Sequence, residues 1–179
     1  MTSAVVTGFG RSGTLFLKTV LSQSKLWTVS HEPGGKRGAA VIDNVLRRLE
    51  LPAYIEVNSY LRIYWTDLPS PKYLIHRNPV DIALSICNRK SDPVPAIKDL
   101  GSWYEVYQEY KDQASEVIDF SKMTTDKEYL ESIAVKMGVT DIDFSKVSMD
   151  KVNTNKTIKY KKFEDLPQSL ADLINSMGW

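Results

Sequence analysis

The chain has 179 residues, 42% of them apolar, which suits one α/β domain and is too short for two large ones. Its 23 Lys and Arg nearly cancel its 22 Asp and Glu, leaving a formal net charge of +1. That excludes the broad basic excess of a general nucleic-acid binder and confines any anion site to a local cluster.

Residues 4–8 read as a buried strand, and residues 14–24 as a helix with Leu17, Val20 and Leu21 on one face. A strand that begins this early leaves no room for a signal peptide. No apolar stretch approaches the roughly 18 residues of a membrane span. The single cysteine, Cys87, allows no intrachain disulfide and points to a reducing compartment. The expectation is a soluble cytoplasmic protein.

Leu26 to Ser30 reads as a short second strand, ending in the loop His31-Glu32-Pro33-Gly34-Gly35. Val41, Ile42, Val45, Leu46 and Leu49 give helical spacing over residues 38–50. Tyr54 to Val57 reads as a third strand, Ser59 to Thr66 as a short helix and Lys72 to His76 as a strand. Asn78 is placed as an N-cap, with Pro79 at the first helical position and Asp81 at the third. That helix runs to about Arg89 and makes Cys87 a small core residue rather than a nucleophile. Asp92-Pro93-Val94-Pro95 breaks the chain. Ile97, Leu100, Tyr104, Tyr107 and Tyr110 then follow helical spacing to about Ala114, an aromatic stripe read as core packing. Val117 to Phe120 reads as a strand, 126–137 as a helix ending at Gly138, and about 166–177 as the last helix.

Strands alternating with helices imply a mainly parallel central sheet flanked by helices, a three-layer α/β fold in one domain spanning residues 1–179. In such sheets ligands bind at the carboxyl ends of the strands. Three clusters of chemistry-bearing residues fall there: 8–14, 31–35 and 76–78.

The first cluster, Gly8-Phe9-Gly10-Arg11-Ser12-Gly13-Thr14, has the grammar of an anion loop. A strand delivers it, glycines let the backbone approach, and a helix N-terminus aims free N–H groups at the bound group. Gly8, Gly10 and Gly13 satisfy the dinucleotide pattern G-x-G-x-x-G, with Glu32 downstream as an acidic ribose partner. Gly8 and Gly13 also have Walker spacing, but Thr14 and Leu15 stand where a lysine and a magnesium-binding hydroxyl belong. This disfavours an ordinary kinase or ATPase; the cation has moved to Arg11.

Arg11-Ser12-Gly13-Thr14 resembles the 5′-phosphosulfate loop of sulfotransferases that use 3′-phosphoadenosine 5′-phosphosulfate (PAPS). A second stretch, Tyr73-Leu74-Ile75-His76-Arg77-Asn78-Pro79-Val80-Asp81 with Ser85 eight residues after Arg77, resembles the 3′-phosphate motif of the same family. The physical logic stands by itself: Arg77 leaves a strand end beside a helix N-terminus, so guanidinium and helix dipole act on one anion. The alternative is an Arg77–Asp81 surface pair, with Ser85 a plain helix residue. Weaker likenesses lie at Glu56-Val57-Asn58-Ser59, Val117-Ile118-Asp119-Phe120 and Lys162-Phe163-Glu164-Asp165-Leu166-Pro167.

The resemblance implies a P-loop-type sulfotransferase domain that transfers a sulfuryl group from PAPS to a hydroxyl or amine, releases 3′,5′-ADP and needs no metal. Gly10, Arg11, Ser12, Gly13 and Thr14 would hold the 5′ side of the donor, and Arg77 and Ser85 its 3′-phosphate. Arg11 would stabilise the transferring group and the leaving phosphate. Glu32 is the candidate general base, since the tyrosylprotein and carbohydrate branches use a glutamate at a similar offset from the loop. His31 is its competitor, and an ion pair from Glu32 to Arg11 is the structural alternative.

Leu15 replaces the second threonine of relatives. Asn153-Thr154-Asn155-Lys156 is the candidate for the segment that closes over the nucleotide in cytosolic members, and Gly34-Gly35-Lys36-Arg37-Gly38 for contact with an acidic acceptor. The acceptor stays open among a small molecule, a carbohydrate and a peptide tyrosine, with no nucleic acid or membrane partner expected. The competing readings are a P-loop phosphotransferase, a non-catalytic nucleotide-binding module and a Rossmann oxidoreductase. The last leaves Arg77 and Ser85 unexplained.

Overall fold

The computed structural model describes residues 3–32, 38–69, 71–149 and 158–179. Residues 34–37 of the basic loop and residues 153–156 lie outside them. Strands β1 (Ala4–Gly8), β2 (Thr28–His31), β3 (Tyr54–Val57), β4 (Lys72–His76) and β5 (Glu116–Asp119) form one sheet in the order β2-β3-β1-β4-β5. Every pairing is parallel, with Val6 opposite both Val57 and Tyr73. The chain leaves β1 toward one edge and later returns to fill the other. The carboxyl end of β1 is therefore the switch point where such sheets take ligands.

Helices α1 (Thr14–Leu21), α2 (Gly38–Leu49), α3 (Pro79–Cys87), α4 (Val94–Gln113), α5 (Phe120–Thr125), α6 (Lys127–Lys136) and α7 (Gln168–Asn175) cover the sheet, with a 3-10 helix over Ser59–Asp67. Alternation along β1 sorts the two cores. Ala4 and Val6 pack with Leu17, Leu21 and Ile133, while Val5 packs with Trp65, Ile82, Ile97 and Leu100. All of β1 is buried, as a parallel strand covered on both faces must be. Leu17 is fully buried, so Leu17→Ala would cost about 2–5 kcal/mol in lost transfer energy and cavity.

The predicted elements are present, with shifted ends. β2 starts at Thr28 because the Asp141 carboxylate accepts from the Lys25 and Leu26 N–H groups and holds that stretch off the sheet. Residues 59–67 form a 3-10 helix, capped by the Asn58 side chain, which accepts from the Tyr60 N–H. The separate helix α5 was not legible as a period. Asp119 caps it through the Lys122 N–H, and Asp126 starts α6 through the Tyr129 N–H. Asn78 does cap α3, with Pro79 in its first turn.

Cys87 is free and buried, and burial pushes its thiol up. The α4 stripe is core: Trp103, Tyr107 and Tyr110 pack against one another and onto Trp65. No helix among the described residues is long and apolar enough to cross a membrane.

Candidate functional site

The loop between β1 and α1 is shaped by crowding at two of its glycines. A Cβ at Gly8 would lie 2.6 Å from Ser12 Oγ and 2.9 Å from the Ile75 carbonyl oxygen. Gly13 sits at φ 98°, in the left-handed region, and a Cβ there would lie 2.6 Å from the Phe120 ring. Gly10 is different: a Cβ would meet nothing within 4 Å, so the backbone there is open. Arg11 also takes a left-handed φ, 78°, a strain of about 1–3 kcal/mol that the Ser12 N–H to Phe9 carbonyl bond at 3.0 Å helps hold. No side chain caps the N-terminus of α1. Ser12 is fully buried, and its Oγ has no hydrogen-bond partner.

Arg77, just past β4, reaches into this loop. Its Nη1 donates to the Arg11 carbonyl at 2.7 Å, and its guanidinium lies 4.4 Å over the Phe120 ring. Its own carbonyl accepts from the Tyr104 hydroxyl. Arg77 Nε is buried and unpartnered. Arg11 Nε in turn donates to Ser85 Oγ at 3.2 Å, two turns along α3. Arg11, Ser12, Arg77 and Ser85, singled out in two distant stretches of sequence, thus meet at the carboxyl ends of β1 and β4.

The electrostatics of these strand ends are one-sided. Burial first, then the charges of Arg89 and Arg77, lower the Arg11 guanidinium to about 10, still cationic at neutral pH. Burial also lowers Arg77, and Asp81 opposes that shift, although no ion pair joins Arg77 to Asp81 among the described residues. Crowded guanidiniums, an orphaned hydroxyl and an orphaned N–H all cost free energy when left without partners.

Glu32 follows β2 at φ 48°, again left-handed. Its Oε1 accepts from the Ser59 N–H at 3.2 Å and from Ser59 Oγ at 2.5 Å. His31 Nε2 lies 3.8 Å from the same oxygen and 3.4 Å from Thr14 Oγ1, which ties the Glu32 corner to the first residue of α1. Among the described residues no ion pair joins Glu32 to Arg11, so the structural alternative raised for Glu32 is not what the structure contains. No group of three or more His, Cys, Asp or Glu among the described residues is placed to hold a metal ion.

The sequence reading gave no place beside these residues to Arg89, Ser59, Phe120 or Tyr104. Arg89 carried a usable signal, since it lies four residues after Ser85 and so on the same helix face if the turn continues. The other three depend on contacts between elements.

No protein-family model matches the chain, and no curated protein sequence matches it. Among solved structures, it resembles the crystal structure of mouse sulfotransferase SULT7A1 complexed with PAP, with a TM-score of 0.54 at 15% sequence identity. The likeness covers 98% of this chain and 63% of that one. The chain has a sulfotransferase-type α/β fold, with its parallel sheet flanked by helices, and spans less than two thirds of this neighbour's length.

Proposed function

We propose that the chain is a PAPS-dependent sulfotransferase acting on a hydroxyl or amine acceptor. The observation that carries this reading is the bond from Arg77 to the Arg11 carbonyl, which joins a loop suited to one anion to a strand end suited to a second. A donor with a 5′-phosphosulfate and a 3′-phosphate has two anions to place. A nucleoside triphosphate has one chain of them and requires the lysine and magnesium hydroxyl that this loop lacks. The orphaned Ser12 Oγ and Arg77 Nε fit such a donor as hydrogen-bond donors, and the open backbone at Gly10 leaves room for its approach.

In this reading Gly10, Ser12, Gly13 and Thr14 bind the 5′ side through N–H groups and hydroxyls, and Arg77 and Ser85 bind the 3′-phosphate. Arg89 adds positive charge to the same strand ends. Glu32 takes the proton of the acceptor as its oxygen or nitrogen bonds to sulfur. The bond from sulfur to the phosphate oxygen breaks, its electron pair leaves on 3′,5′-ADP, and Arg11 offsets the charge that develops there. The sum is sulfated acceptor, 3′,5′-ADP and one proton.

Calorimetric titration with 3′,5′-ADP, 5′-AMP and ATP in the absence of magnesium tests this. The expected result is 3′,5′-ADP binding at least about tenfold tighter than 5′-AMP, the value of one good charged contact. Equal affinity for the two, or preference for ATP, would overturn it.

A further inference from the structure

We infer that Ser59 is the positioning residue of Glu32: it fixes Oε1 and leaves Oε2 for the proton of the acceptor. This rests on the reading of Glu32 as the base. Ser59 opens the 3-10 helix, so its N–H is one of the donors that a helix start leaves unused. Both that N–H and the hydroxyl converge on Oε1, whereas Oε2 accepts no hydrogen bond among the described residues. The division matters for chemistry. A carboxylate held by one oxygen keeps its direction and still has a free acceptor, and a small misplacement of a reacting group is costly.

The contact follows from the sheet. β2 and β3 run parallel with His31 opposite Val57, so the residues just past each strand end face each other. Glu32 adopts a left-handed backbone there, a conformation that persists only when neighbours hold it. Ser59 is itself held firmly. The preceding residue, Asn58, is fully buried; its N–H donates to the Val6 carbonyl, and its own carbonyl accepts from Thr7 Oγ1. Glu56, also fully buried, accepts from the Tyr54 hydroxyl at 2.6 Å and from Asn58 Nδ2 at 3.0 Å. That turns the Asn58 amide so that its oxygen meets the Tyr60 N–H at 2.9 Å. Arg62 closes the far side, donating to the Ser59 carbonyl at 2.8 Å while its guanidinium lies 4.6 Å over Phe9 of the anion loop. The turn that aims Glu32 is thereby braced on the loop proposed to hold the donor.

The test is turnover of PAPS with water as acceptor, read as sulfate release, in wild type, Ser59→Ala, Ser59→Thr, Glu32→Gln and the Glu32→Gln/Ser59→Ala pair. Ser59→Ala is expected to lower kcat about tenfold, the worth of a hydrogen bond to a charged group, with KM for PAPS and affinity for 3′,5′-ADP unchanged. Ser59→Thr restores most of the rate, and Ser59→Ala costs nothing further once Glu32 is Gln. A wild-type kcat in Ser59→Ala, or the same loss in both backgrounds, overturns the inference and leaves the base assignment standing. Full turnover in Glu32→Gln overturns the base assignment instead. Amide hydrogen exchange gives a readout free of activity: the Ser59 N–H exchanges faster in Glu32→Ala than in wild type, and an unchanged rate removes the contact itself.

Discussion

The Arg77 guanidinium donates to the main-chain carbonyl of Arg11 at 2.7 Å, across 66 residues of sequence. A guanidinium normally spends such a donor on a carboxylate or a ligand. Here one donor fixes the anion loop and Nε stays buried without a partner. The loop and the end of β4 therefore form one rigid corner rather than two neighbouring sites. Phe120 completes the corner, lying under the Arg77 guanidinium and against Gly13.

Arg77→Ala should weaken 3′,5′-ADP binding about 100-fold, the loss expected for a charged, forked contact in a partly buried site. Arg77→Lys should recover only part of this, because an ammonium has no planar fork to bond the Arg11 carbonyl and a phosphate together. Calorimetry on both variants decides it. Wild-type affinity in Arg77→Ala would remove the 3′-phosphate assignment.

Arg89 should matter to the 3′-phosphate more than to the rest of the nucleotide. It lowers the Arg11 guanidinium more than Arg77 does, and it lies four residues past Ser85, which Arg11 contacts. Arg89→Ala is expected to weaken 3′,5′-ADP about tenfold while 5′-AMP binding changes less than about twofold. It should also flatten the salt dependence of 3′,5′-ADP binding. Equal losses for both nucleotides would place Arg89 elsewhere.

The anion loop was legible because its demands are local. Its glycines, arginine and hydroxyls fall in one short stretch, Gly13 takes a left-handed φ of 98°, and Asn78-Pro79 announces the start of α3 within two residues. The contact of Arg11 with Ser85 was not legible, because it depends on β4 and the helix after it lying beside β1. Ser59 against Glu32 was out of reach, because that contact is set by the register of β2 on β3, which no single segment encodes. Helix α5 escaped for a related reason: at six residues it is too short to show a period, and only its Asp119 cap marks it. Glu56-Val57-Asn58-Ser59 stood in the sequence only as a weaker family likeness, and the use of the Glu56–Asn58 pair became clear only with the turn it braces.

Gly13→Ala tests the cradle through stability rather than binding. The new methyl would need a left-handed backbone and would meet the Phe120 ring at 2.6 Å. Strain and overpacking together should lower the unfolding free energy by about 2–4 kcal/mol, measured by urea denaturation at constant m. Gly10→Ala, where a Cβ meets nothing within 4 Å, should cost far less. A Gly13→Ala protein as stable as Gly10→Ala would contradict the described geometry of Phe120 over the loop.

His76 gives a prediction for pH. It precedes Arg77 at the end of β4 and packs against Tyr104 and Tyr107, with ring centroids 6.4 and 5.2 Å away. Its Nδ1 is buried without a partner. Burial holds the imidazole below its ordinary 6.5; Asp119 opposes that shift and Lys111 adds to it. Because the folded value is depressed, the unfolded chain takes up the proton first as pH falls. The neutral ring's contribution is therefore fully present above about pH 6.5 and is lost progressively below it. Wild type should lose more stability between pH 7 and pH 5 than His76→Phe, which keeps an aromatic ring against the two tyrosines and has nothing to protonate. Chemical denaturation at several pH values supplies both curves. Parallel curves would mean that His76 is as easily protonated in the folded protein as in the unfolded chain.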